Sequence, residues 1–433
     1  MPSLRSLVAA SAALAGLLGA PVTAAAAPRE PGDAVTTKTL GDAVTYKTPG
    51  GLVIVPASSM AHPEIPGLMH TNVRIFVPTG RGLRATAPTG IFETPASLAC
   101  VYGETQKARN CNPKTLTKVA TTGSKVIAIV DAYDDPHAAA DLTVYSRKFH
   151  LPAVTTANFQ TIYATGSAPA QDPTGGWELE ESLDIEMAHA LAPGARVVLV
   201  EAATASNTDL LAAEKVAIKL VHAAGGGEVS NSWGGPESAD EAADMDAFDG
   251  ANVVVFAAAG DTPGVSQPAV LPNVISVGGT SILRTPAGLL QEQVAWSDGG
   301  GGISAYVPIP SYQNAVSTIA GSHRASPDIA MDANPSSGVW VYDTIAYNGT
   351  VLDWIVIGGT SAASPAAAAL VNSAGSFKDS TATELSAFYA DIGAADAFTD
   401  IKIGFCADNA AGHASAGFDL CTGIGAPLGF SGK

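Results

Sequence analysis

Three uninterrupted apolar runs constrain this chain more than any other feature. Val126 to Val130, Val197 to Val200 and Val253 to Ala257 contain no polar residue, and Ala-rich stretches of helical character separate them. A strand with one wet face alternates apolar and polar residues, whereas a continuous run has to be covered on both sides. Such runs alternating with helical segments predict a mostly parallel, doubly wound sheet with helices on both faces. Residues 94–433 are therefore read as one α/β domain. Upstream, residues 27–93 are rich in Pro, Gly and Thr and lack helical periodicity. They are expected to form an extended N-terminal arm, with a strand at Val73 to Val77.

The first residues have the pattern of an export signal. Arg5 precedes an apolar core from Leu7 to Leu18, and small residues run from Val22 to Ala27, which predicts a signal peptide over 1–26. That core is too short for a permanent membrane anchor. A secreted protein, extracellular or periplasmic and without a membrane partner, is expected. The formal charge of −18, from 22 basic and 40 acidic residues, argues against nucleic acid as a partner. It suits ordinary solubility and tolerance of acid equally. The four cysteines are expected to pair in an oxidising compartment. Sequence alone leaves the pairing open; Cys100–Cys111 and Cys406–Cys421 are preferred because each closes a short local loop. No Cys-x-x-Cys occurs, which argues against zinc.

The strongest chemical signal is Gly358-Gly359-Thr360-Ser361-Ala362-Ala363-Ser364-Pro365. Glycines permit a tight turn, and the Ala-rich run that follows predicts a helix. A serine at its N-terminus lies beside free N–H groups and the positive end of the dipole, where an oxyanion is stabilised. Ser361 is thus a candidate nucleophile, or a simple helix cap. A serine nucleophile needs a base. None of the eight histidines is followed by Gly, and the apolar run ending at Asp131 lacks Asp-x-Gly. The segment Trp177 to Pro193 supplies another base. Leu183, Met187 and Leu191 recur every fourth residue as on an amphipathic helix. Glu180 and Asp184 are also four apart, so they stack, repel, and raise a pKa. In this reading Glu178, Glu181 and Glu186 face solvent and His189 is structural. Asp261, just past the run Val253 to Ala257, lies where α/β sheets place functional groups; protonated, it donates to an oxyanion.

Together these motifs resemble the sedolisin family of serine-carboxyl peptidases, from about residue 94 to the C-terminus. Further matching segments are Ser230 to Glu237, Gly278-Gly279-Thr280 and Ser326 to Ala330. The resemblance implies a subtilisin-like fold and an acid-active endopeptidase. It makes Ser361 the nucleophile, Glu180 the base, Asp184 its support and Asp261 the oxyanion donor. Ser232, Trp233 and Gly234 would bind substrate along an edge strand; Trp233 equally suits the core. A calcium site is implied in the region 398–425. Its ligands would be the carboxylates of Asp400 and Asp419 and the carbonyls of Ile401, Ser415 and Gly417. Protein or peptide substrates and a monomer are expected. The family commonly has a longer N-terminal pro-domain, so residues 27–93 are read as a plain arm or a reduced pro-segment. Two other readings stay open: a His-dependent subtilisin-like hydrolase, and a non-catalytic binding protein on the same scaffold.

Overall fold

The computed structural model describes residues 43–105 and 111–433. The predicted signal peptide and the first part of the arm lie outside the described residues. The N-terminal part contributes β1 (Val44–Thr48), β2 (Gly51–Val55), β3 (His70–Thr71), β4 (Arg74–Pro78) and α1 (Pro95–Val101). Then follow β5 (Val126–Ala132), α2 (Ala138–Phe149), β6 (Phe159–Tyr163), α3 (Gly176–Leu191), β7 (Arg196–Ala202) and α4 (Asn207–Ala223). Next come β8 (Gly227–Asn231), β9 (Trp233–Pro236), β10 (Val253–Ala258), β11 (Ser266–Gln267), β12 (Ile275–Arg284) and β13 (Leu290–Ala295). The remainder holds β14 (Gly302–Pro308), α5 (Ser317–Ala320), β15 (His323–Ser326), β16 (Ile329–Asp332), β17 (Val339–Tyr347), β18 (Thr350–Gly358), α6 (Thr360–Ala374) and α7 (Thr381–Ala390).

The three apolar runs form β5, β7 and β10 of an eight-stranded sheet in the order β13-β12-β10-β8-β5-β7-β6, with β16 added beside β12. All its pairings are parallel except β12 with β13. The period of two sorts each strand between two cores. Ile127, Ile129, Val197, Leu199, Val254 and Phe256 join the core that holds α3, α6 and α7. Val126, Ala128, Val130, Val198, Val200, Val253 and Val255 join the core of α4 on the other face. The doubly wound architecture expected from the apolar runs is the one observed. Both disulfides follow the short-loop pairing, Cys100–Cys111 and Cys406–Cys421, with Cα–Cα distances of 5.4 and 5.5 Å. Among the described residues no helix is long and apolar enough to cross a membrane.

Residues 43–93 do not run as an unpaired extended arm. β1, β2 and β4 continue antiparallel onto β18 and β17, giving the order β1-β2-β4-β18-β17. The strand expected at Val73 to Val77 is β4, one residue later. Ile75 and Phe76 are buried, and the Phe76 ring meets Phe92 edge-on at 5.8 Å. The Pro- and Gly-rich composition belongs to the turns between these strands.

Helix α3 departs from expectation. The fourfold spacing predicts one wet face, yet all sixteen residues are buried, because α2, α6, β5 and β17 pack around it. Glu178, Glu181 and Glu186 therefore do not face solvent. Glu178 accepts the Asp172 N–H at 2.7 Å and Glu186 the Tyr342 N–H at 3.1 Å, while Glu181 has no hydrogen bond. His189 is buried, with Nε2 at 3.2 Å from Pro152 O. Asp172 replaces a missing cap, since its Oδ2 accepts the N–H groups of Gly176 and Trp177 at 2.8 and 3.2 Å.

Burying so many carboxyls ties stability to pH. Burial pushes Asp135 up to about 7, Glu178 to about 8 and Glu201 to about 9. Groups raised in the folded state hold protons that the unfolded chain releases. Their stabilisation is complete below the ordinary carboxylate range and is lost as pH rises to the folded values. The urea midpoint should be highest near about pH 4 and fall steadily toward alkaline pH; a midpoint that rises from acid to neutral contradicts this. Elsewhere the fully buried Arg324 grips Asp328 with two bonds of 2.9 and 2.7 Å, and Asp328 accepts the Ser276 N–H at 2.8 Å, tying β15 to β12. Arg324→Ala should cost about 3–5 kcal/mol in urea unfolding, because it strands a buried carboxylate.

Candidate active site

The turn between β18 and α6 presents Ser361. Gly359 has φ of 108°, a conformation open to glycine, and a Cβ built there would lie 1.8 Å from Asn72 O and 2.8 Å from Asp261 Oδ2. The glycine therefore leaves room for a carbonyl oxygen beside the helix N-terminus. Pro365 within α6 has no N–H, so the Ser361 carbonyl loses its i→i+4 partner. The Ser232 hydroxyl donates to that carbonyl instead, at 3.2 Å. The link joins α6 to the strand that follows β8.

Glu180 and Asp184 stand one turn apart on α3, fully buried beside Ser361. Burial, then Asp184, pushes Glu180 well above the usual carboxylate range, while the Ser361 hydroxyl pulls the other way. Burial, then Asp131, raises Asp184. Asp131 at the end of β5 is itself raised by burial, then by Glu180 and Glu201. The three carboxyls form one coupled group with no hydrogen bond of ordinary geometry. The Ser361 hydroxyl lies near enough to Glu180 to lower its pKa, but its ordinary hydrogen bonds go elsewhere. It donates to Ser232 O at 3.0 Å and accepts the Asn72 N–H at 3.1 Å.

Asp261 lies past the end of β10. Its Oδ1 accepts the Thr360 N–H and hydroxyl at 2.7 and 2.9 Å. Oδ2 faces Arg74 Nη1 at 3.4 Å, with both side chains buried. Burial pushes Asp261 up to about 6 against the pull of Arg74 and the Thr360 bonds. The four residues singled out as catalytic candidates thus meet at one buried place. Among the described residues no histidine is a hydrogen-bond partner of Ser361, which leaves the His-dependent reading without a base.

The edge strand expected for substrate is β9, and both its edges are paired. β11 takes one, and the N-terminal segment takes the other as β3, with His70 opposite Gly234 and Thr71 opposite Trp233. Asn72 comes next, and its side chain donates to Ser232 O at 3.2 Å. Of its two possible places Trp233 takes the core one: it is fully buried, with Nε1 donating to Val130 O at 3.0 Å. Sequence reasoning missed Asn72, Arg74 and Asp131. Asp131 had the same signal as Asp261, a carboxylate closing an apolar strand. Thr71-Asn72-Val73-Arg74 carries no comparable signal.

In the C-terminal region the loop 415–417 lies clasped between two carboxylates. Both Asp400 oxygens accept the Gly417 N–H at 3.2 Å, and Asp419 Oδ2 accepts that of Ser415 at 3.0 Å. Among the described residues no group of three or more His, Cys, Asp or Glu side chains is arranged for a metal. The donors expected here are two carboxylates and main-chain carbonyls, all hard oxygens, and these suit Ca²⁺.

Comparison with known proteins agrees with this geometry. Residues 161–389 match the model of the subtilase family. Kumamolisin of Bacillus sp. (strain MN-32) is 34% identical over 336 residues, covering 70% of this chain and 58% of kumamolisin. Sedolisin of Pseudomonas sp. (strain 101) is 36% identical over 181 residues, which is 38% of this chain and 29% of sedolisin. The chain thus spans little more than half of the one relative's length and under a third of the other's. The solved structure of Pseudomonas sedolisin, a serine-carboxyl proteinase complexed with two molecules of pseudo-iodotyrostatin, aligns with a TM-score of 0.62 at 26% identity, over 78% of this chain and 96% of that one. This chain belongs to the subtilase family and, within it, to the sedolisins.

Proposed function

We propose that the chain is an exported serine-carboxyl endopeptidase that hydrolyses protein or peptide substrates in acid. The observation that supports this reading is that Glu180, one turn from Asp184, lies beside Ser361, and that Gly359 leaves room there for an oxygen next to Asp261. Ser361 Oγ attacks the substrate carbonyl and Glu180 takes its proton. Asp184 shares that proton and holds Glu180 in place. The Ser361 N–H and protonated Asp261 stabilise the oxyanion. Glu180 returns the proton to the departing amine, and water then hydrolyses the acyl-enzyme. The backbone of Gly234 and Ser232 would hold the substrate strand along the edge of β9 that β3 takes in this structure. The binder reading predicts partner capture with no bond cleavage.

Asp261 sets the alkaline limit, because its carboxylic acid donates only while protonated, up to about pH 6. The kcat/KM for casein should fall as pH rises through that value. Asp261→Asn donates at every pH, so its alkaline limb should move upward by more than one pH unit, about the reach of such a shift. Glu180→Gln should lower kcat by about 10²–10⁴-fold, and Ser361→Ala should abolish turnover. Full activity of Glu180→Gln in alkaline buffer contradicts the carboxylate mechanism.

Asp400 and Asp419, with the carbonyls of Ile401, Ser415 and Gly417, would hold one Ca²⁺ that fastens the C-terminal loops. Saturating Ca²⁺ at 100 times its Kd should add about 2.7 kcal/mol of stability. Asp400→Asn should erase that gain. Equal melting temperatures with Ca²⁺ and with a chelator would count against the site.

A further inference from the structure

Three neighbouring strands place proton carriers side by side under α3. Asp131 of β5, Glu201 of β7 and Tyr163 of β6 are Cα partners in the parallel sheet. Partners in register point to one face, and neighbouring strands lie about 4.8 Å apart. That face is shared with Ile129 and Leu199, on the side of α3. β6 is the last strand of the sheet, so the row runs from the interior to an edge. Asp131 and Glu201 are buried, whereas Tyr163 is only half-buried. Asp134, also half-buried, lies close enough to shift both Glu201 and Tyr163. The Asp135 N–H donates to Glu201 Oε1 at 3.4 Å, and Oε2 has no partner. Glu181 lies against the row from α3. It is fully buried without a hydrogen bond, and the groups that act on it are Glu201, Asp135, Asp131 and Glu178, each a carboxyl. Among the described residues none of these carboxyls is in an ion pair. Carboxyls so placed keep their protons, and a protonated carboxyl both donates and accepts.

We propose that Asp134 and Glu201 carry protons between solvent and Asp131, so that Glu180 and Asp184 exchange protons along the sheet edge and not through the substrate cleft. The inference rests on the peptidase reading above. In acylation the departing amine takes the proton that Ser361 gave to Glu180. In acid it leaves as an ammonium, so it draws a second proton from the coupled carboxyls. The acyl chain still fills the cleft at that moment. The carboxylate left behind takes a proton from Asp131, Asp131 takes one from Glu201, Glu201 from Asp134, and Asp134 from water. Deacylation then forms a carboxylic acid. As it ionises, its proton returns along the same row. One proton enters and one leaves in each cycle, and every carboxyl ends it as it began.

Glu201 and Asp134 act only through Asp131 and are positioning residues for its proton. Burial, then Asp134, keeps Glu201 protonated in acid, and burial, then Glu180 and Glu201, does the same for Asp131. The row is thus stocked with protons at the pH where the reaction runs. Tyr163 and Asp134 are its outlet, and Glu181, Glu178 and Asp135 line it with further carboxyls.

The test compares the full chain with Glu201→Gln and Asp134→Asn in casein digestion at about pH 4, within the ordinary carboxylate range. An amide cannot pass a proton on, yet Gln keeps the neutral shape that Glu201 has in acid. Asp134→Asn changes a half-buried position and reads the row even if Glu201→Gln fails to fold. Each variant should lower kcat by about tenfold with KM unchanged, less than the loss of the group that takes the serine proton itself. Formic acid, raised in concentration at constant pH, should restore kcat toward that of the unaltered chain. Heavy water should slow the variants more than it slows the unaltered chain. An unchanged kcat in either folded variant overturns the inference. So does a loss that formic acid leaves in place, which is what damaged packing gives. In both cases casein digestion by the unaltered chain keeps the peptidase reading standing. No digestion by the unaltered chain at any pH sinks both.

Discussion

The exclusion of water from α3 is the constraint on which the site depends. A lone ionised carboxylate in such surroundings costs several kcal/mol, so the group keeps a proton or finds a donor. Glu180, Asp184 and Asp131 have no donor of ordinary geometry and lie within reach of one another. They are driven to share protons, and in the proposed mechanism that sharing equips Glu180 to take the proton of the Ser361 hydroxyl. An exposed Glu-x-x-x-Asp pair would have no such property. Packing by α2, α6, β5 and β17 is what keeps these carboxyls from water.

Around this helix the fold brings together groups from four separate places. Ser361 comes from the start of α6, Asp261 from beyond β10, Asp131 from the end of β5, and the backbone of Ser232 from the turn after β8. β5, β8 and β10 are neighbours in the sheet, and their C-terminal ends open on one side, as in other open α/β sheets. Pro365 adds a local link. The carbonyl it leaves without a helical partner is the one that Ser232 secures.

Much of this was legible in the sequence because it rests on local periodicity. Continuous apolar runs marked the sheet, fourfold spacing placed Glu180 over Asp184, and Gly-Thr-Ser before an Ala run marked a helix start. What escaped depends on distant partners. Nothing in Glu178, Glu181 and Glu186 says that β17 and α2 cover the helix face they occupy. Asn72 and Ser361 are 289 residues apart, and no spacing rule connects them. The arm was misjudged for a related reason. Its strands are short and punctuated by Pro and Gly, and their partner β18 lies far along the chain.

The five-stranded sheet bears on how this protein is handled. β4 covers one edge of β18, opposite Val356, Ile357 and Gly358. A version of the chain begun at Thr94, the start of the domain as composition suggests it, would leave that edge bare. Apolar residues and unpaired backbone groups would then face solvent together, which is the arrangement that invites strands of other copies to add. The N-terminal strands thus serve as a sheath for the rest of the molecule.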